Sequence, residues 1–258
     1  MLKETTRIFA ACLHASCEHL AAEFSSVAVR DCERKEPMNI FDIVGPVMIG
    51  PSSSHTAGAC RLGLLAAGIL GERPQQAEIL LHGSFARTYK GHGTDRALVA
   101  GLLGWQPDDV RIPNALKLAA EAGVKFTFHP VDLGSMAHPN SVLFRLTGKN
   151  GNACEVIGAS VGGGQIMVTK VDGFPVELTG VLPALFVPHR DEPGVIALVS
   201  TILAKKRINI ASMRVFREGK GETAAMVIEC DQAVPPAVIR HLEELGPVKL
   251  VRFVDKVS

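Results

Sequence analysis

The 258-residue sequence has little with which to hold a nucleic acid: its formal net charge is only +1, and no run of lysines or arginines builds a one-sided basic face. Phosphate binding needs clustered positive charge. One tryptophan and one tyrosine leave few platforms for stacking bases, although eleven phenylalanines weaken that point. No apolar stretch approaches the roughly 20 residues of a membrane-spanning helix. The densest, Leu62–Leu70 and Val195–Ala204, are short and lie in amphipathic contexts. No CxxC pair occurs among the six cysteines, at positions 12, 17, 32, 60, 154 and 230. Cys12 and Cys17 could supply two ligands, but no third and fourth follow at metal-site spacing. Reduced, unpaired thiols are expected, with no metal held by this chain alone. Near the start, Glu4 interrupts Lys3 and Arg7, and apolar Ile8–Leu13 is shorter than the hydrophobic region of a signal peptide. The expectation is a cytoplasmic protein with neither membrane nor nucleic acid as partner.

What is present is the balance of an ordinary soluble chain, 47% hydrophobic and 21% charged, long enough for about two domains. Residues 1–37 are cysteine-rich and polar, with partial helical periodicity through Ile8, Cys12, Leu13 and Leu20 but no partner element. They read as a disordered or loosely attached extension, which leaves Met38 as an alternative start. Residues 38–180 alternate helix-period and strand-period stretches. Thr56–Leu70, Thr94–Leu103 and Asn114–Ala122 are predicted helices, the last with Pro113 near its start. Ile79–Leu81 is a short strand, and Val124, Phe126 and Phe128 alternate with polar neighbours, as do Val142, Phe144 and Leu146. Asn150-Gly151 signals a hairpin into Cys154–Ile157, and a Gly162-Gly163-Gly164 turn precedes strand-like Gln165–Val171. Residues 181–258 carry strand, helix, strand, strand, helix, strand, the βαββαβ ferredoxin-like arrangement. A unit so small needs a neighbour's surface or its own dimer to shield the open sheet. The fold class is α+β.

Four motifs carry chemistry. In Gly50–Ala59, a serine run (Ser52, Ser53, Ser54) with His55 and Thr56 stands directly before a helix. Hydroxyls, free backbone N–H groups and the positive end of the dipole there suit a carboxylate or phosphate, and His55 titrates near neutrality, as a base must. Plain N-capping by Ser54 or Thr56, with His55 merely exposed, fits the same residues. His82–Asp95, with three glycines, Arg87, Lys90 and His92, reads as a polar loop able to hold an anion; it lacks the Gly-Lys-Ser/Thr of a P-loop and the spacing of a standard metal site. An ordinary surface turn is the alternative. His138-Pro139-Asn140 at a strand entrance is compatible with ligand contact or with a turn. Asp191-Glu192-Pro193-Gly194 opens a helix and is followed later by Asn209 and Ile210. An acidic pair there can receive an ammonium group while backbone N–H groups take a carboxylate.

Together these residues resemble a known family. Asn39–Thr56, with Gly83-Ser84-Phe85, Gly91–Asp95, His138-Pro139-Asn140 and Gly158–Gly164, closely resembles the beta subunit of iron–sulfur-dependent L-serine dehydratase. Glu192-Pro193-Gly194 and Ile208-Asn209-Ile210 are similar to an ACT domain. The resemblance covers residues 38–255 and implies an ASB-like first domain. It also implies deamination of L-serine to pyruvate and ammonia, which fits gluconeogenesis or serine catabolism equally. A 4Fe-4S cluster acting as Lewis acid would be ligated by a separate alpha subunit, making a heterodimer, with homodimerisation through ACT domains as a further contact. On this resemblance His55 is the candidate base. Ser52, Ser53, Ser54, Thr56, His138, Asn140, Lys90 and His92 are the substrate or anion set. Asp191, Glu192, Gly194, Asn209 and Ile210 are the effector set. Cys60 reads as a small packing residue rather than a cluster ligand. The middle region and tail also resemble the regulatory domains of some D-3-phosphoglycerate dehydrogenases, which would make the chain a non-catalytic amino-acid sensor.

Overall fold

The structure, a computed structural model, describes residues 46–257. The expected extension and Cys12, Cys17 and Cys32 lie outside the described residues. The first domain is a six-stranded sheet of β1 (Pro74–Leu81), β2 (Lys125–Pro130), β3 (Ser141–Gly148), β4 (Ala153–Gly162), β5 (Gln165–Val171) and β6 (Phe174–Leu178), in the order β2-β1-β3-β4-β5-β6. Only β1 and β2 run parallel. That pairing requires a crossover, and the crossover carries α2 (Gly83–His92), α3 (Thr94–Leu102) and α4 (Ala115–Glu121), while α1 (Ala59–Leu70) precedes the sheet.

Apolar periodicity decides which faces meet. Leu62, Leu65, Ala66 and Ile69 put one side of α1 into the core with Ala97, Leu98 and Leu102 of α3 and the inward side chains Ile79, Phe144, Val156 and Val168. Two glycines set how closely the helices approach. A Cβ on Gly63 would run into the Leu98 carbonyl, and one on Gly101 into that of Cys60. The other sheet face carries charge: Arg145 pairs with Glu78 at 3.2 Å and Glu155 at 3.0 Å. The β3–β4 hairpin turns through Gly151, φ 86°, as Asn150-Gly151 predicts.

The second domain is β7 (Ala184–Arg190), α5 (Val195–Lys205), β8 (Ile210–Arg217), β9 (Thr223–Cys230), α6 (Pro236–Glu243) and β10 (Arg252–Val254), with sheet order β10-β7-β9-β8. Both helices lie on one face, over Leu185, Val187, Met226 and Ile228. The face that needed shielding is covered by the chain's own first domain: Phe186, Ala225, Val227 and Val254 belong to the same core as α1 and β6. Phe174 and Phe186 meet edge to face at 6.3 Å across this seam. Among the described residues no helix is long and apolar enough to cross a membrane.

Candidate functional site

Residues Ser53–Gly58 form one turn of π-helix feeding directly into α1, a geometry that is rare and recurs at functional sites. Ser52 is its cap: extended at φ −149°, it accepts a hydrogen bond from the His55 N–H at 3.3 Å. Capping therefore falls to Ser52 rather than to Ser54 or Thr56, because the helical turn already begins at Ser53 and puts the His55 amide at its third position, within reach of the cap hydroxyl. Gly58 lets the turn lie on β4, since a Cβ there would strike the Ser160 side chain.

The segment from His82 is not a loop. Gly83–His92 is helical for two tertiary reasons. Phe85 is fully buried, and the Pro139 carbonyl accepts the otherwise orphaned amides of Ser84 (2.7 Å) and Phe85 (3.3 Å). His138-Pro139-Asn140 thus terminates another element's helix. The His138 Nδ1 accepts the Asn140 N–H at 3.1 Å, and the Asn140 carbonyl accepts the Ser160 N–H at 3.0 Å.

These contacts bring two sequence-distant motifs around one imidazole, with the third, His138-Pro139-Asn140, holding the start of α2 in place. His55 Nδ1 lies 3.5 Å from Ser52 Oγ and Nε2 lies 3.4 Å from Ser84 Oγ. The Phe85 ring stands edge-on at 5.3 Å, and the His92 ring is 4.7 Å away, tilted by 35°. Ser84, Thr88 and His92 share one face of α2 at four-residue spacing, and the His92 Nδ1 is 3.4 Å from the Thr88 carbonyl. His55 is half-buried rather than sealed. Burial, and secondarily the neighbouring His92, hold its pKa below the ordinary 6.5, so the ring is neutral at pH 7 and free to accept a proton.

Beside it is a depression of about 160 Å³ lined in part by Gly50, Thr56, His92, Gly93 and Arg96. The Thr56 hydroxyl is buried there without a hydrogen-bond partner among the described residues. Ser53 and Ser54 are half-buried within the turn. Lys90 is not brought in: it lies exposed, on the other side of α2 from Ser84 and Thr88, 5.8 Å from the Tyr89 ring. Sequence reasoning missed Ser84 and Arg96 as site residues. The four-residue repeat of Ser84, Thr88 and His92 was the available signal for the first; nothing local marks the second.

The effector set is divided. Asp191, Glu192 and Gly194 lie where β7 ends, opposite the start of β9 at Thr223; Ile210 begins β8 opposite Cys230, the end of β9. Seven residue steps at about 3.4 Å each put the groups roughly 24 Å apart along the strand direction. Asp191 Oδ2 already accepts the Gly221 N–H at 3.0 Å and lies 3.5 Å from Arg217; Glu192 pairs with Arg190 at 3.2 Å; Asn209 donates to Asp231 at 2.6 Å. One chain alone does not gather the five into a single pocket, because β7 and β8 both run antiparallel to β9 and α5 carries the chain back to the opposite end of the sheet before β8 begins.

The family described as Serine dehydratase beta chain matches residues 39–171, and ACT domain matches 184–247. The chain belongs to the serine dehydratase beta chain family. The probable L-serine dehydratase beta chain of Bacillus subtilis (strain 168) is 43% identical over 207 residues, covering 80% of this chain and 93% of that protein. The L-serine dehydratase beta chain of Peptoniphilus asaccharolyticus is 41% identical over 192 residues, covering 74% and 86%. A D-3-phosphoglycerate dehydrogenase of Synechocystis sp. (strain ATCC 27184 / PCC 6803 / Kazusa) matches at 28% over 73% of this chain but only 34% of its own length. The serine dehydratase beta chains are thus similar along nearly their whole length and the dehydrogenase along a third of its own, which disfavours the purely regulatory reading. Within this beta chain, Cys60, Cys154 and Cys230 are buried free thiols in three different elements, pushed up by burial to about 12, about 12 and about 11. Cluster ligation needs thiolates, so these residues do not fit an iron–sulfur cluster. Among the described residues no group of three or more His, Cys, Asp or Glu is arranged to hold a metal.

Proposed function

We propose that this beta chain takes part in the conversion of L-serine to pyruvate and ammonia, and that His55 is the base that removes the α-proton. The observation that carries the proposal is the imidazole itself: neutral, half-buried, and flanked on both nitrogens by hydroxyls too distant to hold it tightly. Such partners yield to an incoming substrate proton, and a base with a pKa near or below the working pH is in its active form. Ser52, Ser53, Ser54 and Thr56 are the proposed donors to the substrate carboxylate, with the orphaned Thr56 hydroxyl foremost. His92 completes the surround, His138 and Asn140 sit on the turn whose Pro139 carbonyl holds the start of α2, and the position of Lys90 argues against a direct part for it. Loss of the α-proton and of the β-hydroxyl as water gives an enamine, whose hydrolysis yields pyruvate and ammonia.

The cluster that the family resemblance implies is assigned to a partner alpha chain, forming a heterodimer. Support for such docking comes from exposed apolar side chains on segments that lead into the site, Val47 (82% exposed) and Met136 (97% exposed). Buried free thiols suit a reducing cytoplasmic setting. For the ACT domain, a second copy that sets its Asn209 and Ile210 beside the first copy's Asp191, Glu192 and Gly194 would join the divided halves into an amino-acid site. The test is His55→Ala in the full chain co-expressed with the alpha chain under anaerobic conditions. Pyruvate formation should fall by about 10²–10⁴-fold while the subunits still co-purify. Full activity in the variant would remove the base assignment.

A further inference from the structure

We propose that the seam between the two domains holds a binding site for a small monocarboxylate with an apolar body, anchored by Arg61. Arg61 stands in the first turn of α1, and its Nη1 donates to the Gly164 carbonyl at 2.8 Å in the β4–β5 turn. Its Nε is buried with no hydrogen-bond partner among the described residues. The ion pairs among those residues do not include it. A partly desolvated cation without a counter-charge is costly; burial accordingly lowers its pKa.

Arg61 lines a cavity of about 300 Å³ whose other walls include Val161, Ile166, Thr179, Val181 and Val257. That volume lies at the small end of the range for ligand sites, about 300–1,000 Å³. Val161 and Ile166 come from the first domain, Val181 from the connector and Val257 from beyond β10, where its N–H donates to the Gly180 carbonyl at 2.8 Å. An occupant would therefore touch both domains.

The chemistry of the walls selects the ligand. A planar carboxylate matches a guanidinium fork. A phosphate or dicarboxylate would leave a second charge against valine and isoleucine. No acidic side chain lines the cavity, so the ammonium of a free amino acid would be unpaired. The class is thus an acid of about three to six carbons without an amino group, 2-oxo acids included, and it excludes L-serine. Arg61 and His55 lie on one continuous helical run, so occupation at the seam acts on the helix that carries the proposed base.

The test is calorimetric titration of the full chain with pyruvate, 3-methylbutanoate and 4-methylpentanoate, each beside its amide, and with L-serine and L-valine. At least one acid should bind saturably, with its amide and the amino acids at least tenfold weaker. Arg61→Met should weaken that acid at least tenfold. Val181→Trp, a change at a residue 66% exposed, should do the same with Tm unchanged, and decides the matter if Arg61→Met fails to fold. His55→Ala should leave binding intact. The proposal is overturned if no acid binds saturably, if the amide binds equally well, if binding survives the Arg61 and Val181 changes, or if His55→Ala abolishes it.

Discussion

The imidazoles of His55 and His92 lie 4.7 Å apart between centroids, their planes tilted by 35°, so positive charge on His92 penalises a proton on His55. Burial is the larger cause of the lowered His55 pKa and the His92 charge the smaller. His92→Phe keeps an aromatic ring beside His55 but removes its charge. The His55 pKa should then rise part of the way towards 6.5 without reaching it, and the acidic limb of the activity profile should move to higher pH. Titration of the His55 Cε1–H resonance in the full chain reads this directly. An unchanged or lowered pKa would show that His92 exerts no charge effect.

The same depression fixes a sign for stability. Unfolded, His55 regains its ordinary pKa of 6.5; folded, it titrates lower. Between the two values the unfolded chain binds more protons, so stability rises as pH rises through that window and is lost as pH falls through it. His55→Gln should flatten this part of the profile, visible as a smaller change in urea midpoint between about pH 5 and about pH 7, a range that spans the ordinary imidazole value. A variant profile as steep as that of the unaltered chain would place the acid sensitivity elsewhere.

Two helix glycines should respond in opposite ways. Gly101 faces the backbone of α1, where a Cβ would collide with the Cys60 carbonyl, whereas nothing lies within 4 Å of a Cβ on Gly91 in α2. Backbone cannot rotate away as a side chain can, so Gly101→Ala should cost about 3 kcal/mol or more. Gly91→Ala should be neutral or stabilise by up to about 1 kcal/mol. Urea denaturation at constant m value checks both; a neutral Gly101→Ala would mean that α1 and α3 are not so closely apposed.

Much of this architecture is legible in the residues. Alternation at Val142, Phe144 and Leu146, the Asn150-Gly151 turn and the βαββαβ order are local signals, and local signals survive folding. What could not be read depends on distant partners. The glycines from Gly83 to Gly93 argue for a loop until Phe85 is seen swallowed by the core and the Pro139 carbonyl is seen serving the amides of α2. The extension of β1 back to Pro74 comes from pairing with β2 and β3 rather than from its own apolar pattern. In the site, His55 and Ser52 were legible because sequence neighbours share the turn. Ser84 and Arg96 were not, since only the tertiary path of α2 and α3 brings them near. The distance between Asp191 and Asn209 follows from direction rather than from a local motif: β7 and β8 run the same way, so α5 returns the chain to the far end of the sheet before Asn209.

The seam between domains offers the last test. Leu185 and Phe186 are neighbours on β7, and alternation sends them to opposite faces: Leu185 joins the core under α5 and α6, and Phe186 joins the core shared with α1 and meets Phe174. Both are buried to within 1% of full. Truncation should therefore cost comparable amounts, about 2–5 kcal/mol for Leu185→Ala and about 3–5 kcal/mol for Phe186→Ala. Only the second removes contacts that bind the ACT domain to its neighbour. In scanning calorimetry the unaltered chain and Leu185→Ala should each melt in one transition, while Phe186→Ala should show two, the earlier belonging to the ACT domain. A single transition for Phe186→Ala with the expected drop in Tm would mean that the rest of the seam, Ala225, Val227 and Val254 against α1 and β6, suffices to couple the two domains.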